Sequence, residues 1–313
     1  MLVIFNHLIT SFFTAKNLSK GKGFFRFFQI FNIRFFYAFI FIRNKFNKKT
    51  FIIEGSDVNI FFKDNKETSF SIVSDLNTKG YHNKLQLDEF NLKQIYNEIS
   101  LKNSSISFKG QKRIDEKTLS FNNSSNLDDI VKNSKNYNLS HVSLDIDLKK
   151  TNYLKDIASS KLLLSMAKNY IGKNEISISS LCYISNPTTI SEEEKKDNAQ
   201  YFHYDNDFKK SLKVFIYLND VDLNSGPHSF VQFSHNRRFL KHLVSKRIDD
   251  EEIISYYGKE NIKTFNLSRG SLIIEDTFGL HKANPPTKNT RTVLILVYGD
   301  NEGIGIYKNS LII

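Results

Sequence analysis

The sequence predicts a mainly β protein with flanking helices, built on a jelly-roll-like core. Three observations predict it. From Glu175 onward, short strand-like runs alternate with turn residues. All four prolines, Pro187, Pro227, Pro285 and Pro286, fall in that part of the chain. The runs are also spaced irregularly, which fits a sandwich better than a meander.

Composition narrows the class. Of 313 residues, 40% are apolar and 25% charged, which excludes a wholly disordered chain and a polytopic membrane protein. The single cysteine, Cys182, permits no internal disulfide, and no zinc-finger spacing exists, so a reducing cytoplasm is the expected setting. The net charge of +11 would suggest nucleic acid if it were spread over the chain. Residues 1–50, however, hold nine Lys and Arg and no acidic residue, so the remainder carries only +2 and no nucleic-acid partner is expected.

Taken in chain order, residues 1–50 form a basic aromatic segment with 13 of the 28 phenylalanines. Its densest stretch, Gly23–Ile42, is about long enough to cross a bilayer but carries Arg26 and Arg34, each costing about 2.5–3.5 kcal/mol at mid-span. Four readings stay open: a packed helix, an incorrectly assigned start in AT-rich coding sequence, a segment lying on an anionic membrane surface, or a transmembrane span. The third would make the protein peripheral to the membrane.

From 51 to about 150 the pattern is of short alternating strands and one helix, with Asn/Ser-rich connections expected at 103–107 and 122–126. The helix spans Asp88–Leu101, with Asp88 as its cap and Phe90, Leu92, Ile95 and Ile99 near one face. A second helix is expected over Leu154–Tyr170, stopped by Gly172. The strand runs that follow are Ile176–Ser185, Leu212–Leu218, Ser229–Phe233, Ser271–Asp276 and Thr290–Tyr298, with a helical insertion around Phe239–Tyr257.

Within this part, His203-Tyr-Asp205 places a His and an Asp two residues apart, on the same face of an extended chain. One metal ion could touch both. His281 follows the strand run ending at Asp276 by five residues. A His-x-Asp pair with a distant His is the donor set that binds Fe(II) and leaves positions open for oxygen chemistry. Alone, a His-x-Asp tripeptide equally suits a surface turn. Its weight grows with Arg291, which shares a face with Val293, Ile295 and Val297. A cation pointing inward with branched aliphatics needs an anionic partner, and a ligand carboxylate would serve.

Five ordered blocks extend this pattern: His203-Tyr-Asp205; Leu212-Lys-Val-Phe-Ile-Tyr-Leu-Asn-Asp-Val-Asp222 with Gly226-Pro-His-Ser-Phe; Phe233-Ser-His235; Gly270–His281; and Lys282-Ala-Asn-Pro-Pro286 leading to Arg291. In them the chain, over about residues 175–300, resembles the phytanoyl-CoA dioxygenase family of Fe(II)- and 2-oxoglutarate-dependent oxygenases. The resemblance implies a double-stranded β-helix (cupin-like) core at 171–313, with 51–170 as a flanking α/β part of one oxygenase domain spanning 51–313. It implies Fe(II) held by His203, Asp205 and His281, 2-oxoglutarate held at its distal carboxylate by Arg291, and O2 as the second co-substrate. A hydroxylated small-molecule or lipid-like substrate, succinate and CO2 would be the products' side of the reaction. Gln200, three residues before His203, could reach 2-oxoglutarate or a water. Because halogenating relatives lose the carboxylate ligand, Asp205 favours hydroxylation.

Two features depart from the family pattern: Tyr204, where relatives often carry Arg, and Val231-Gln-Phe-Ser-His235 in place of a VPGSH-like turn. Neither touches an expected ligand, and His228 and His235 are expected to brace the loop beside the metal. Two competing classes are a catalytically silent metal- or anion-binding β-sandwich and a cupin-like metalloenzyme without 2-oxoglutarate. The intact ligand set with Arg291 argues against the first, and the second leaves Arg291 without a task.

Deleting residues 1–50 is expected to leave a folded, iron-binding protein of net charge +2; if the segment lies on the membrane surface, the full chain should co-sediment with anionic vesicles at low salt and the truncated one should not. Aggregation of the truncated chain would instead identify a packed segment.

Overall fold

The computed structural model describes residues 61–63, 66–110, 121, 125–205, 207–208, 210–239, 241–242, 247–300, 307 and 309–313, the side chains of 109 and 110 excepted. Residues 1–50, with every reading given for them above, lie outside the described residues. No helix among the described residues is long and apolar enough to cross a membrane.

The strands are β1 (Tyr81–His82), β2 (Ser104–Gly110), β3 (Leu139–Ile146), β4 (Ser177–Ser185), β5 (Ser211–Tyr217), β6 (His228–Val231), β7 (Ile262–Thr264), β8 (Leu272–Glu275), β9 (His281–Ala283), β10 (Arg291–Gly299) and β11 (Leu311–Ile312). A large antiparallel sheet has the order β1-β8-β5-β10-β4-β3-β2, with β11 pairing β4, and a small one the order β7-β6-β9. His203 bridges to His281 and so adds its segment to the edge of the small sheet beside β9. From β4 onward the chain shuttles between sheets: β4 in the large one, residue 203 in the small, β5 large, β6 and β7 small, β8 large, β9 small, β10 large. That alternation is a double-stranded β-helix, the jelly-roll core expected from the strand spacing. Strands β1, β2 and β3, from before residue 150, extend the same large sheet.

The period-2 alternation of β10 explains the layering. Leu294, Leu296 and Tyr298 face a core shared with helices, whereas Val293, Ile295 and Val297 pack between the sheets with Phe230 and Phe265. Every residue of β10 is buried, because both faces are covered.

Helices among the described residues include α1 (Ser69–Thr78), α2 (Glu89–Glu98), α3 (Leu127–Asn136), α4 (Tyr153–Ala158), α5 (Lys161–Ile171), α6 (Glu192–Asp197) and α7 (Asp250–Tyr257). Asp88 caps α2 by accepting from the Asn91 N–H at 2.7 Å, and the helix stops at Glu98 because Ile99 turns extended. The helix expected over Leu154–Tyr170 is two, α4 and α5, separated at Ser159 and Ser160; Gly172, at φ 75°, closes the second.

The described residues of both expected connections join regular elements instead. The Asn/Ser-rich stretch 103–107 enters β2, where pairing with β3 (Ser105↔Asp145, Ser107↔Ser143) outweighs weak strand propensity. Near the end of the other, Asn126 is the cap of α3 and not a breaker: it accepts from Asp129, whose carboxylate accepts from the Asn126 N–H. The helical insertion around Phe239–Tyr257 contains α7 at its C-terminal end.

Leu296 is fully buried at the centre of the large sheet. Leu296→Ala is expected to lower unfolding stability by about 2–5 kcal/mol in urea melts.

Candidate metal centre

The site begins as a backbone pairing. The N–H of His203 donates to the carbonyl of His281 and the N–H of His281 to that of His203, both at 2.9 Å, which sets the two imidazole centroids 4.4 Å apart. Two residues on, the Asp205 N–H donates to Thr277 O at 2.8 Å and fixes the third side chain. The two-apart spacing thus places His and Asp together as expected. His203, Asp205 and His281 each offer a ligand atom, all within 4.8 Å of one another.

Each imidazole is anchored through its other nitrogen. Nδ1 of His203 lies 2.9 Å from Tyr201 O and Nδ1 of His281 3.0 Å from Gly279 O, so in the neutral rings Nδ1–H donates and Nε2 keeps its lone pair. Burial, with His281 beside it, pushes the His203 pKa down to about 3, which keeps that ring in its ligating form. Burial opposes charge on His281 as well, but the Asp205 carboxylate outweighs it and raises the pKa. Against its own burial, Asp205 is held well below the usual carboxylate range by Lys213 and His281. Two anchored imidazoles and one ionised carboxylate are a donor set that fits a divalent ion of the 2-His-1-carboxylate class.

These residues open on a cavity of ≈ 420 Å³ between the sheets. The large sheet contributes Lys213, Phe215, Tyr217, Arg291, Val293 and Ile295; the opposite wall includes His203, His228 and His281. Arg291 is 6% exposed, and its guanidinium donates to the carbonyl of Gly226, to Asn284 O at 3.5 Å and to Ser185 Oγ at 3.4 Å, while Nε has no hydrogen-bond partner. No carboxylate among the described residues pairs with it. Gly226 sits at φ 71°, and a Cβ there would lie 2.6 Å from Pro286 N, so the carbonyl facing Arg291 comes from a position only glycine fills. Gln200 is not part of the cavity wall: its N–H closes a turn on Lys195 O, and its neighbours Asn198 and Ala199 line the cavity instead. Ala199, between Asn198 and Gln200, has a left-handed backbone at φ 57°.

Residues that the motif reading passed over stand beside the expected ones. Lys213 Nζ lies 2.6 Å from Asp205 Oδ2 and 3.3 Å from Asp207 Oδ2. Although burial disfavours its charge, Asp205 holds its pKa well above the lysine norm. Glu275, fully buried on β8, lies 2.9 Å from His228 Nε2 across the two sheets. Burial raises the Glu275 pKa to about 8, and burial with the nearby charges of His281 and Arg291 lowers that of His228 well below the usual value. A sequence signal existed for both: a lone Lys at period 2 with Phe215 and Tyr217, and a lone Glu ending the run Leu272–Glu275. His235 takes part in loop bracing, its Nε2 2.7 Å from Asn236 Nδ2.

No protein-family model matches the sequence, and no curated protein matches it. Solved structures with a similar fold include the non-heme alpha-ketoglutarate-dependent epimerase SnoN from nogalamycin biosynthesis (14% identity, 74% of this chain and 83% of that one, TM-score 0.48). HygX from Streptomyces hygroscopicus, with nickel, 2-oxoglutarate and hygromycin B bound, is 13% identical over 74% of this chain and 86% of its own (TM-score 0.46). EctD from S. alaskensis with bound Fe is 12% identical over 77% and 82%, respectively (TM-score 0.45). These likenesses are distant.

Glu275 gives a pH prediction. Its carboxyl binds a proton more tightly in the folded chain (about 8) than its ordinary value of 4.5, so its stabilising contribution is full below pH 4.5 and is lost as pH rises through 8. Glu275→Gln should therefore gain stability relative to wild type between about pH 5 and 9 in paired urea melts. An unchanged difference across that range would place the proton elsewhere.

Proposed function

We propose that this chain is an Fe(II)- and 2-oxoglutarate-dependent dioxygenase that hydroxylates a C–H bond of a small-molecule or lipid-like substrate, with release of succinate and CO2. One observation carries the reading. The three ligand side chains His203, Asp205 and His281 share a cavity with Arg291, a buried cation whose partners among the described residues are all neutral. A metal alone explains the first three and a dicarboxylate explains the fourth.

When bound, Fe(II) supplies oxygen activation coupled to the oxidative decarboxylation of 2-oxoglutarate. The chain supplies the rest. His203 and His281 present lone pairs on rings that cannot turn, because Tyr201 O and Gly279 O hold their Nδ1 atoms. Asp205 adds the negative charge, and Lys213 keeps it ionised by pairing at 2.6 Å. Arg291 offers a carboxylate the planar fork that its carbonyl partners only half occupy. Phe215, Val293 and Ile295 make the wall between these charges apolar, which excludes water and strengthens each electrostatic contact. Retention of the Asp205 carboxylate, which leaves no room for a halide, supports hydroxylation over halogenation. The five ordered sequence blocks support a place in the phytanoyl-CoA dioxygenase family.

Purified protein should bind one Fe(II) per chain and, with 2-oxoglutarate under anaerobic conditions, develop the weak visible charge-transfer band of a chelated 2-oxo acid. His203→Ala and His281→Ala should each abolish the band; full iron affinity in either would sink the ligand assignment. Arg291→Ala should leave iron binding nearly intact and raise the 2-oxoglutarate needed for half-saturation by about tenfold or more, with Arg291→Lys restoring part of it.

A further inference from the structure

His228 lines the cavity outside the proposed metal set, and among the described residues all but one of its polar atoms have partners. Its N–H donates to Tyr217 Oη at 3.0 Å, and its carbonyl accepts from the Phe265 N–H at 2.9 Å. The ring stacks on Phe215 at 4.6 Å, lies 5.6 Å from the His281 ring, and is tied through Nε2 to Glu275 Oε2. Among the described residues, Nδ1 has no hydrogen-bond partner, and the residue lines the cavity.

The state of Glu275 decides what Nδ1 is. The side chain is fully buried, its Oε1 has no hydrogen-bond partner, and its one hydrogen-bond partner among the described residues is a buried imidazole's nitrogen. An ionised carboxylate with an oxygen left bare in such a place is costly, whereas a neutral carboxylic acid leaves bare only a carbonyl oxygen. The raised pKa of Glu275 and the lowered one of His228 agree with a neutral pair. A neutral acid donates its O–H to Nε2. The single ring proton of neutral His228 then sits on Nδ1, which makes that atom a donor.

We propose that His228, oriented from behind by Glu275, is a further binding residue for the dicarboxylate co-substrate and donates its Nδ1–H to it; this rests on the oxygenase reading above. The position fits the task. His228 stands on the small sheet next to His281 at one end, and two residues before it the Gly226 carbonyl accepts from the Arg291 guanidinium. A dicarboxylate running from the metal ligands to Arg291 passes it, and a donor without charge suits an anion already matched by a guanidinium and a metal.

The test separates the two ring nitrogens. In the full-length protein loaded with Fe(II), 2-oxoglutarate is titrated anaerobically by calorimetry and by the charge-transfer band, with Fe(II) affinity measured separately. Asn places its amide where Nδ1 stands and Gln where Nε2 stands. His228→Asn should stay within about threefold of wild type, and His228→Gln should bind about tenfold or more weakly, both with iron affinity unchanged. A residue that merely braces the fold predicts the reverse order, since Gln preserves the Glu275 bond, and that order would overturn the proposal, as would wild-type affinity in His228→Gln. Glu275→Gln, whose amide can still donate to Nε2, should stay within about threefold; a tenfold loss there would overturn the assigned donor. Should the His228 variants fail to fold, the wild-type protein loaded with Zn(II) decides: imidazole nitrogen NMR should find Nδ1 protonated and shifted by 2-oxoglutarate, and an unprotonated Nδ1 would overturn the proposal. Failure of wild type itself to bind 2-oxoglutarate would strike the oxygenase reading and not this residue in particular.

Discussion

The reciprocal backbone pair between His203 and His281 is the constraint on which the site depends. Two hydrogen bonds of 2.9 Å join chain segments 78 residues apart and make the small sheet, not a loop, the carrier of both imidazoles. Sheet geometry then does what loop geometry could not: it fixes the ring separation, and the neighbouring bond from Asp205 N–H to Thr277 O carries the register on to the carboxylate. The turn Asp276–Gly279 that precedes His281 is itself held, with the Gly279 N–H on Asp276 O and the Asp276 carboxylate taking the hydroxyl of Tyr170 from α5. Helix α5 therefore holds, through Tyr170, the turn that leads into His281.

The large sheet solves a different problem. Its central strand β10 is flanked by β4 and β5 over almost its whole length, so its backbone groups are satisfied and both of its faces can be dry. One face closes the helical core; the other forms the cavity wall. Arg291 enters this apolar strand at its first residue, where the Gly226 carbonyl and Ser185 hydroxyl can reach it. Further along, the same alternation would have buried the guanidinium among branched aliphatics with nothing to donate to.

Charge in the cavity is arranged in compensated groups. Lys213 is balanced by Asp205 and Asp207, and Tyr307 completes that network by donating to Asp207 at 2.8 Å. Glu275 and His228 are balanced differently, by their mutual hydrogen bond across the two sheets. Arg291 is the cation left with neutral partners among the described residues. In a low-dielectric interior that difference matters, because a buried charge without an opposite charge beside it is costly.

How much of this was legible in the sequence follows from the range of the interactions. Period-2 alternation is local, so the strand runs from Ile176 to Tyr298 and the inward face of Arg291 could be read directly, as could the Asp88 cap and the pairing of His203 with Asp205. Propensity is local too, but it yields to pairing: Ser104–Ser107 reads as a connection and becomes a strand once β3 lies beside it, and Asn126 reads as a breaker until a helix follows that it can cap. Which strand neighbours which was beyond the sequence, and with it went Lys213 on Asp205, Glu275 on His228 and Tyr170 on Asp276, contacts joining residues 8, 47 and 106 positions apart. The sequence by itself determined the donor set and the faces on which it lies. Only the tertiary structure decided the charge state and orientation of those donors, because both are set by burial and by partners that chain folding brings from another sheet.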